Sequence, residues 1–162
     1  MKNIKFNTVI LFLSIFSVGI LHSQTHPNRN KIPPNVKTQF HKEFPSSKIF
    51  SSNIKEINKA LYYQIESVHN HKLIKVLYKK NGKRFQLEEE IDNSALPSIV
   101  KKAIKKNMPS YKILTSKKIT GENKTEYKVS VYKDEEEYNV IISTKGKIKS
   151  KVRIDSKVDM GC

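Results

Sequence analysis

One pattern occurs twice in this chain, and it limits the possible folds more than any other feature. Residues 32–49, IPPNVKTQFHKEFPSSKI, align with residues 96–113, LPSIVKKAIKKNMPSYKI, without a gap and with eight identities in eighteen positions. Pro33 falls on Pro97, Val36 on Val100, Lys37 on Lys101, Lys42 on Lys106, Pro45 on Pro109, Ser46 on Ser110, Lys48 on Lys112 and Ile49 on Ile113, always 64 positions on. The same offset carries Tyr63 onto Tyr127, Val76 onto Val140, and Gly82-Lys83 onto Gly146-Lys147. A period of this length means that one supersecondary unit is used twice.

Each unit opens with a helical pattern. Val36, Phe40 and Phe44 are spaced by four, and Val100, Ala103, Ile104 and Met108 form the matching stripe, with Ile99 beside it. Pro33 or Pro34, and Pro97, suit a first helical turn, where the missing N–H costs nothing. Pro45 and Pro109 push the residue before them out of the helical region and so end each helix. The period then changes to two. Tyr63 and Ile65, Val76 and Tyr78, Tyr127 and Val129, and Val140 and Ile142 recur at alternate positions and are expected to face the helices. Breaks fall at His69-Asn70-His71, Asn81-Gly82, Asp134-Glu135 and Lys145-Gly146. Asn-Gly predicts a two-residue hairpin with positive φ at both central residues. Further strands follow each helix (48–54 and 112–119) and each last turn (84–91 and 147–154). The last strand is expected to slip by one residue between copies, because Phe85, Leu87 and Ile91 alternate in one and Ile148, Val152 and Ile154 in the other.

The start of the chain reads as a secretory signal over 1–23. Lys2 and Lys5 precede an apolar run from Val9 to Leu21 that is shorter than a membrane span, and Ser23-Gln24-Thr25 suits cleavage. The alternative is an uncleaved anchor. No cysteine lies near the site, so a lipid anchor is not expected; the product should be periplasmic or secreted, with no membrane insertion after cleavage. Residues 24–31 read as a flexible lead-in, 32–92 and 93–154 as the two repeats, and 155–162 as a tail. Cys162 stands alone at the end, which leaves no internal disulfide; a frayed terminus is the plainer reading and an intermolecular bridge the alternative.

Catalytic patterns are lacking. The chain holds no Gly-x-Ser-x-Gly elbow, no phosphate loop and no His-Glu-x-x-His, so neither an enzymatic role nor a cofactor is expected. His69 and His71 could seed a metal site but lack a third ligand, and read as a solvated turn. Glu88 to Glu90 and Asp134 to Glu137 alternate between faces and serve to balance lysines. The formal charge of +16 falls to +14 without the leader. Apart from Lys101, Lys102, Lys105 and Lys106 the cations are dispersed, and nucleic acid is not expected as a partner.

A chain with two copies of "(I/L)P…VK…K…(F/M)P…KI", each followed by a Tyr-rich strand and a "(N/K)GK" hairpin, resembles the β-lactamase-inhibitor-like, PepSY-like proteins common in Bacteroidetes. The resemblance covers about Ile32 to Ile154. It implies an α+β fold in which two tandem α-β-β-β-β repeats form one antiparallel sheet of about eight strands, with both helices packed on one face. It transfers no catalytic residue.

If the helices cover one face, Tyr62, Leu77, Tyr132 and Ile141 stand on the other. Apolar side chains on an open sheet among Lys and Glu suit a protein-binding surface. The sequence thus points to a non-enzymatic exported module that engages a protein or peptide of the cell envelope, with inhibition of an envelope or secreted enzyme as one form of that role. The competing reading is a structural or stress-related envelope protein without a specific ligand.

Overall fold

The computed structural model describes residues 32–154. In chain order these are α1 (Pro34–Glu43), β1 (Lys48–Ile57), β2 (Ala60–His69), β3 (Lys72–Tyr78), β4 (Arg84–Ile91), a 3-10 turn (Asn93–Ala95), α2 (Ser98–Asn107), β5 (Lys112–Gly121), β6 (Thr125–Lys133), β7 (Glu136–Ser143) and β8 (Ile148–Ile154). The strands form a single antiparallel sheet in sequence order, β1 to β8. From α1 to α2, β1 to β5, β3 to β7 and β4 to β8 the starting residue advances by 64. The expected signal segment and cleavage site, the expected lead-in and tail, and Cys162 lie outside the described residues.

The helices form where the proline pattern permits. Pro33 and Pro97 are the N-caps, and their carbonyls accept from Lys37 and Lys101 N–H at 3.0 and 3.1 Å. At the other end Phe44 and Met108 N–H donate to Phe40 and Ile104 carbonyls, and the prolines that follow stop the helices. Lys42, Lys105 and Lys106 sit in the last turns, where the helix dipole favours cations. Val36, Phe40 and Phe44 bury against Ile65, Ile74, Val76 and Tyr78. Leu96, Val100, Ala103, Ile104 and Met108 bury against Tyr127, Val129, Val131, Val140 and Ile142. One sheet therefore carries two apolar cores, and each expected helix stripe and core-facing strand pair lies where the spacing placed it.

Two expectations need correction. The last strand does not slip. β4 bulges at Phe85, between the Leu77–Gln86 and Tyr78–Arg84 pairs, and β8 bulges at the matching Lys149. The side chains changed while the register stayed. Leu87 faces the helices in the first copy; its counterpart Lys151 does so in the second, with its ammonium 4.0 Å from the Tyr138 ring centre. Val152 and Ile154 lie on the opposite face, across from Asn139 and Glu137.

The Asn81-Gly82 connection is also not a two-residue turn. Only Gly82 has positive φ; its N–H donates to Lys79 O at 2.9 Å, closing a turn over residues 79–82. Gly146 does the same with Ser143. The turns with two residues at positive φ are Asn58-Lys59 and Asn70-His71. Glycine is needed at 82 and 146 for space as well as for φ. A Cβ on Gly82 would stand 3.3 Å from Asn35 O, and one on Gly146 only 2.9 Å from Ile99 Cγ1 and 3.2 Å from Ile99 O. Each hairpin tip thus docks beneath the first turn of its helix, and Asn35 Nδ2 donates to Lys80 O at 2.8 Å to hold it.

Candidate binding face

Cross-strand partners share a face, so the register assigns every side chain. Tyr62, Leu77, Tyr132 and Ile141 all lie opposite the helices. They do not form one patch. Tyr132 pairs with Glu137, whereas Ile141 pairs with Lys128, four residues from Tyr132 along β6 or roughly 13 Å. Tyr132 is 39% exposed and Leu77 only 3%. Leu77 is therefore not an accessible contact. Tyr62 on β2 and Phe85 on β4 stack with ring centres 4.3 Å apart, reaching across β3 on the face where Leu77 stands between Gln64 and Gln86. The bulge that puts Phe85 on this face creates that roof.

Exposed apolar groups lie elsewhere. β1 bulges at Phe50 and β5 at Leu114, again 64 residues apart, and each bulge turns its side chain onto the open face. Phe50 is 58% exposed, and beside it Val68 and Leu73 form a directly opposed pair, both exposed. Leu114 and Tyr132 make the corresponding, smaller patch. At both sites consecutive apolar residues, Ile49-Phe50 and Ile113-Leu114, break the period of two, as do Tyr62-Tyr63 and Leu73-Ile74, which pair without a bulge.

Between the patches the face is charged. Glu66 pairs with Lys75 at 2.8 Å. Glu126, 5% exposed, meets Lys149 at 2.5 Å and Lys124 at 3.1 Å. Burial raises the pKa of Glu126, but its bonds to the two lysines outweigh that and hold it below the usual carboxylate range. Glu88 is 7% exposed, with Lys117 at 3.2 Å and Lys128 at 3.7 Å from Oε1. Neither cation makes an aligned hydrogen bond, so Oε1 is a buried acceptor without a hydrogen-bond donor among the described residues. Phe50, Glu66, Leu73, Lys75, Glu88 and Lys117, from five successive strands, line one depression of about 220 Å³. Five strands span about 19 Å when flat, so a shared depression means that the face is concave here.

Other candidate groups have structural roles. His69 Nδ1 is 2.9 Å from Ser47 Oγ, and its ring meets Phe44 edge-on at 5.2 Å, so it fastens the helix exit to β2. The expected solvated His69–His71 pair is thus half structural. Tyr111 donates to Glu136 at 2.9 Å, and that bond pushes its pKa up to about 12. Tyr78 is raised by burial and then by Glu43, to which it donates. Among the described residues no three His, Cys, Asp or Glu side chains converge on a metal-sized site, and no helix is long and apolar enough to cross a membrane.

No family model matches the chain, nor does any curated protein. Solved structures do. A BLIP-like protein from Bacteroides fragilis superposes with a TM-score of 0.57 at 16% identity, over 80% of this chain and 92% of that one. The fold is BLIP-like. A DUF2874 family protein from Bacteroides ovatus superposes with a TM-score of 0.62 at 14% identity over 82% of this chain and 95% of that one. A third, from Bacteroides eggerthii and provisionally described as periplasmic, gives 0.64 at 16% over 76% and 90%. At such identities the likeness is one of fold, and the frame transfers no residue roles.

Proposed function

We propose that this is a non-enzymatic exported module that grips a protein or peptide of the cell envelope with its open, concave sheet face. One observation carries the reading: a depression over five strands is rimmed by exposed Phe50 and Leu73 and walled by the Glu88–Lys117 ion pair. Exposed apolar anchors around a charged pair are what a partner surface would cover. The likeness to a "BLIP-like" protein and to one described as periplasmic supports export and makes inhibition of an envelope or secreted enzyme the first form of the activity to test.

The experiment compares the mature protein with Phe50→Ser/Leu73→Ser as bait in envelope extract. Both side chains are exposed, so the variant should keep its melting point within the shift of about 0.5 kcal/mol per site usual for surface changes. Loss of a stoichiometric partner from the variant alone supports the face, and titration of that partner's activity then decides inhibition. Equal capture by both baits would remove the open face from consideration.

A further inference from the structure

In the second half of the molecule the corner between α2 and β5 is filled by the segment that ends β4. Ile91 packs onto the α2 core. Ser116 Oγ donates to Asn93 Oδ1 at 2.7 Å, Asn93 Nδ2 lies 3.5 and 3.4 Å from the carbonyls of Ile113 and Leu114, and Lys101 Nζ donates to Ser94 O at 2.8 Å. Sixty-four positions earlier, Ser116, Ile113 and Lys101 become Ser52, Ile49 and Lys37. Those three, with Ile32, His41 and Lys48, line a groove of about 810 Å³ between α1 and β1. Among the described residues no strand pairs with the outer edge of β1. The groove carries, at Ser52 and Lys37, the polar groups that Asn93 and Ser94 engage at Ser116 and Lys101 in the other half.

We propose that this groove is a docking site for one extended acidic segment of a partner protein, which adds antiparallel to β1. Edge-strand addition of this kind draws affinity from main-chain hydrogen bonds and specificity from alternate side-chain pockets. The β4–β5 register, moved back by 64, sets the side chains. Glu88 stands opposite Ile119 and Ile91 opposite Ser116, so the segment places a carboxylate opposite Lys55, an apolar residue opposite Ser52, and an Asn or Asp two residues further on. The acidic character follows from Lys37, His41 and Lys48, since no carboxylate lines the groove. The chain's own residues at the matching sequence positions, Pro27 to Asn30, include Arg29 and no carboxylate, and so carry none of the acidic side chains that this lining would attract. The groove is floored by Ile49 and Ser52 on the helix side of β1, while Lys48 and Lys55 stand on the open-face side of the same edge; the proposal does not depend on the depression around Phe50 and Leu73.

The probe is a fluorescein-labelled peptide of residues 84–96, RFQLEEEIDNSAL, added to the mature chain. We expect saturable binding, amide shifts along β1 and α1, and at least a tenfold loss of affinity in Lys37→Glu/Lys48→Glu, whose two sites are exposed. A peptide carrying Glu88→Lys, Glu90→Lys and Asp92→Lys should bind that variant better than it binds the parent chain. The proposal is overturned if binding is absent, if the variant binds equally well, or if the shifts map to β5 or the open face. It is equally overturned if the mature chain forms a dimer that the peptide does not displace, or if binding appears only once residues 24–31 are removed, since a second copy or the chain's own lead-in is then the occupant.

Discussion

Tyr62 and Phe85 in the first half stand where Glu126 and Lys149 stand in the second. Each pair joins strands two apart across the intervening strand, and each uses the residue that the bulge in β4 or β8 turns onto the open face. One pair is an aromatic stack at 4.3 Å; the other is an ion pair at 2.5 Å. Backbone register and bulge thus survive a complete change of side-chain chemistry. What is shared between the halves is a geometry, and the two solutions should respond differently to acid and salt.

The largest effects should come from the cores, where the halves are most alike. Phe40→Ala should cost about 3–5 kcal/mol and Ile104→Ala about 2–5 kcal/mol, as large-to-small changes at buried sites do. Because β4 and β5 are paired along the strand, denaturant unfolding of each variant should remain one transition. A variant in which half of the signal kept the parent midpoint would show that the two halves are independent.

Next come the hairpin tips. Gly82→Ala and Gly146→Ala both force an L-residue into the left-handed region, at about 1–2 kcal/mol. Gly146→Ala should be the worse of the two, because its new Cβ meets Ile99 Cγ1 at 2.9 Å while that of Gly82 meets only Asn35 O at 3.3 Å. Adding Ile99→Ala to Gly146→Ala should return part of the difference in melting point. If the two single variants were equal, the contact with Ile99 would not matter.

The bridging pairs come third, at about 1 kcal/mol, since the lysines that meet Glu126 are half exposed and partly screened. The folded carboxyl of Glu126 lies below its unfolded value of about 4.3. Its stabilisation is therefore complete above that value and is lost as the pH falls through the folded pKa. Urea titrations at neutral pH and near pH 3 should show the gap between parent and Glu126→Gln closing in acid, and narrowing in 1 M salt. The gap between parent and Phe85→Ala should hold under both. Parallel behaviour of the two gaps would contradict the contrast.

The smallest stability effect is expected at Tyr132, which should tolerate Ser within about 0.5 kcal/mol. Its neighbour on the same strand, Tyr127, is 9% exposed in the α2 core, and Tyr127→Ser should cost several times more. With a partner in hand the order should reverse, Tyr132→Ser weakening binding by more than about 1 kcal/mol if it is an anchor.

What could be read from residues alone was what depends on local spacing. Valine, phenylalanine and isoleucine at helical spacing identified the buried stripes of α1 and α2; the period of two separated Tyr127 and Val129 from Glu126 and Lys128; and the offset of 64 located the second copy of each. The bulges at Phe50, Leu114, Phe85 and Lys149 were not expected, because a bulge is a property of two paired strands: Ile49-Phe50 looks like the regularly paired Tyr62-Tyr63, and Phe85 and Lys149 share no chemistry. Leu77 looked like surface for a related reason: its cover comes from β2 and β4, and whether Tyr62 and Phe85 meet over β3 depends on the curvature of the sheet. Tertiary structure alone likewise decided that the corner beside β5 is filled while the groove beside β1 is lined but not strand-paired among the described residues. Both carry the same Ile, Ser and Lys at positions 49, 52 and 37 and at 113, 116 and 101, and they differ because one strand is inside the sheet and the other is at its edge.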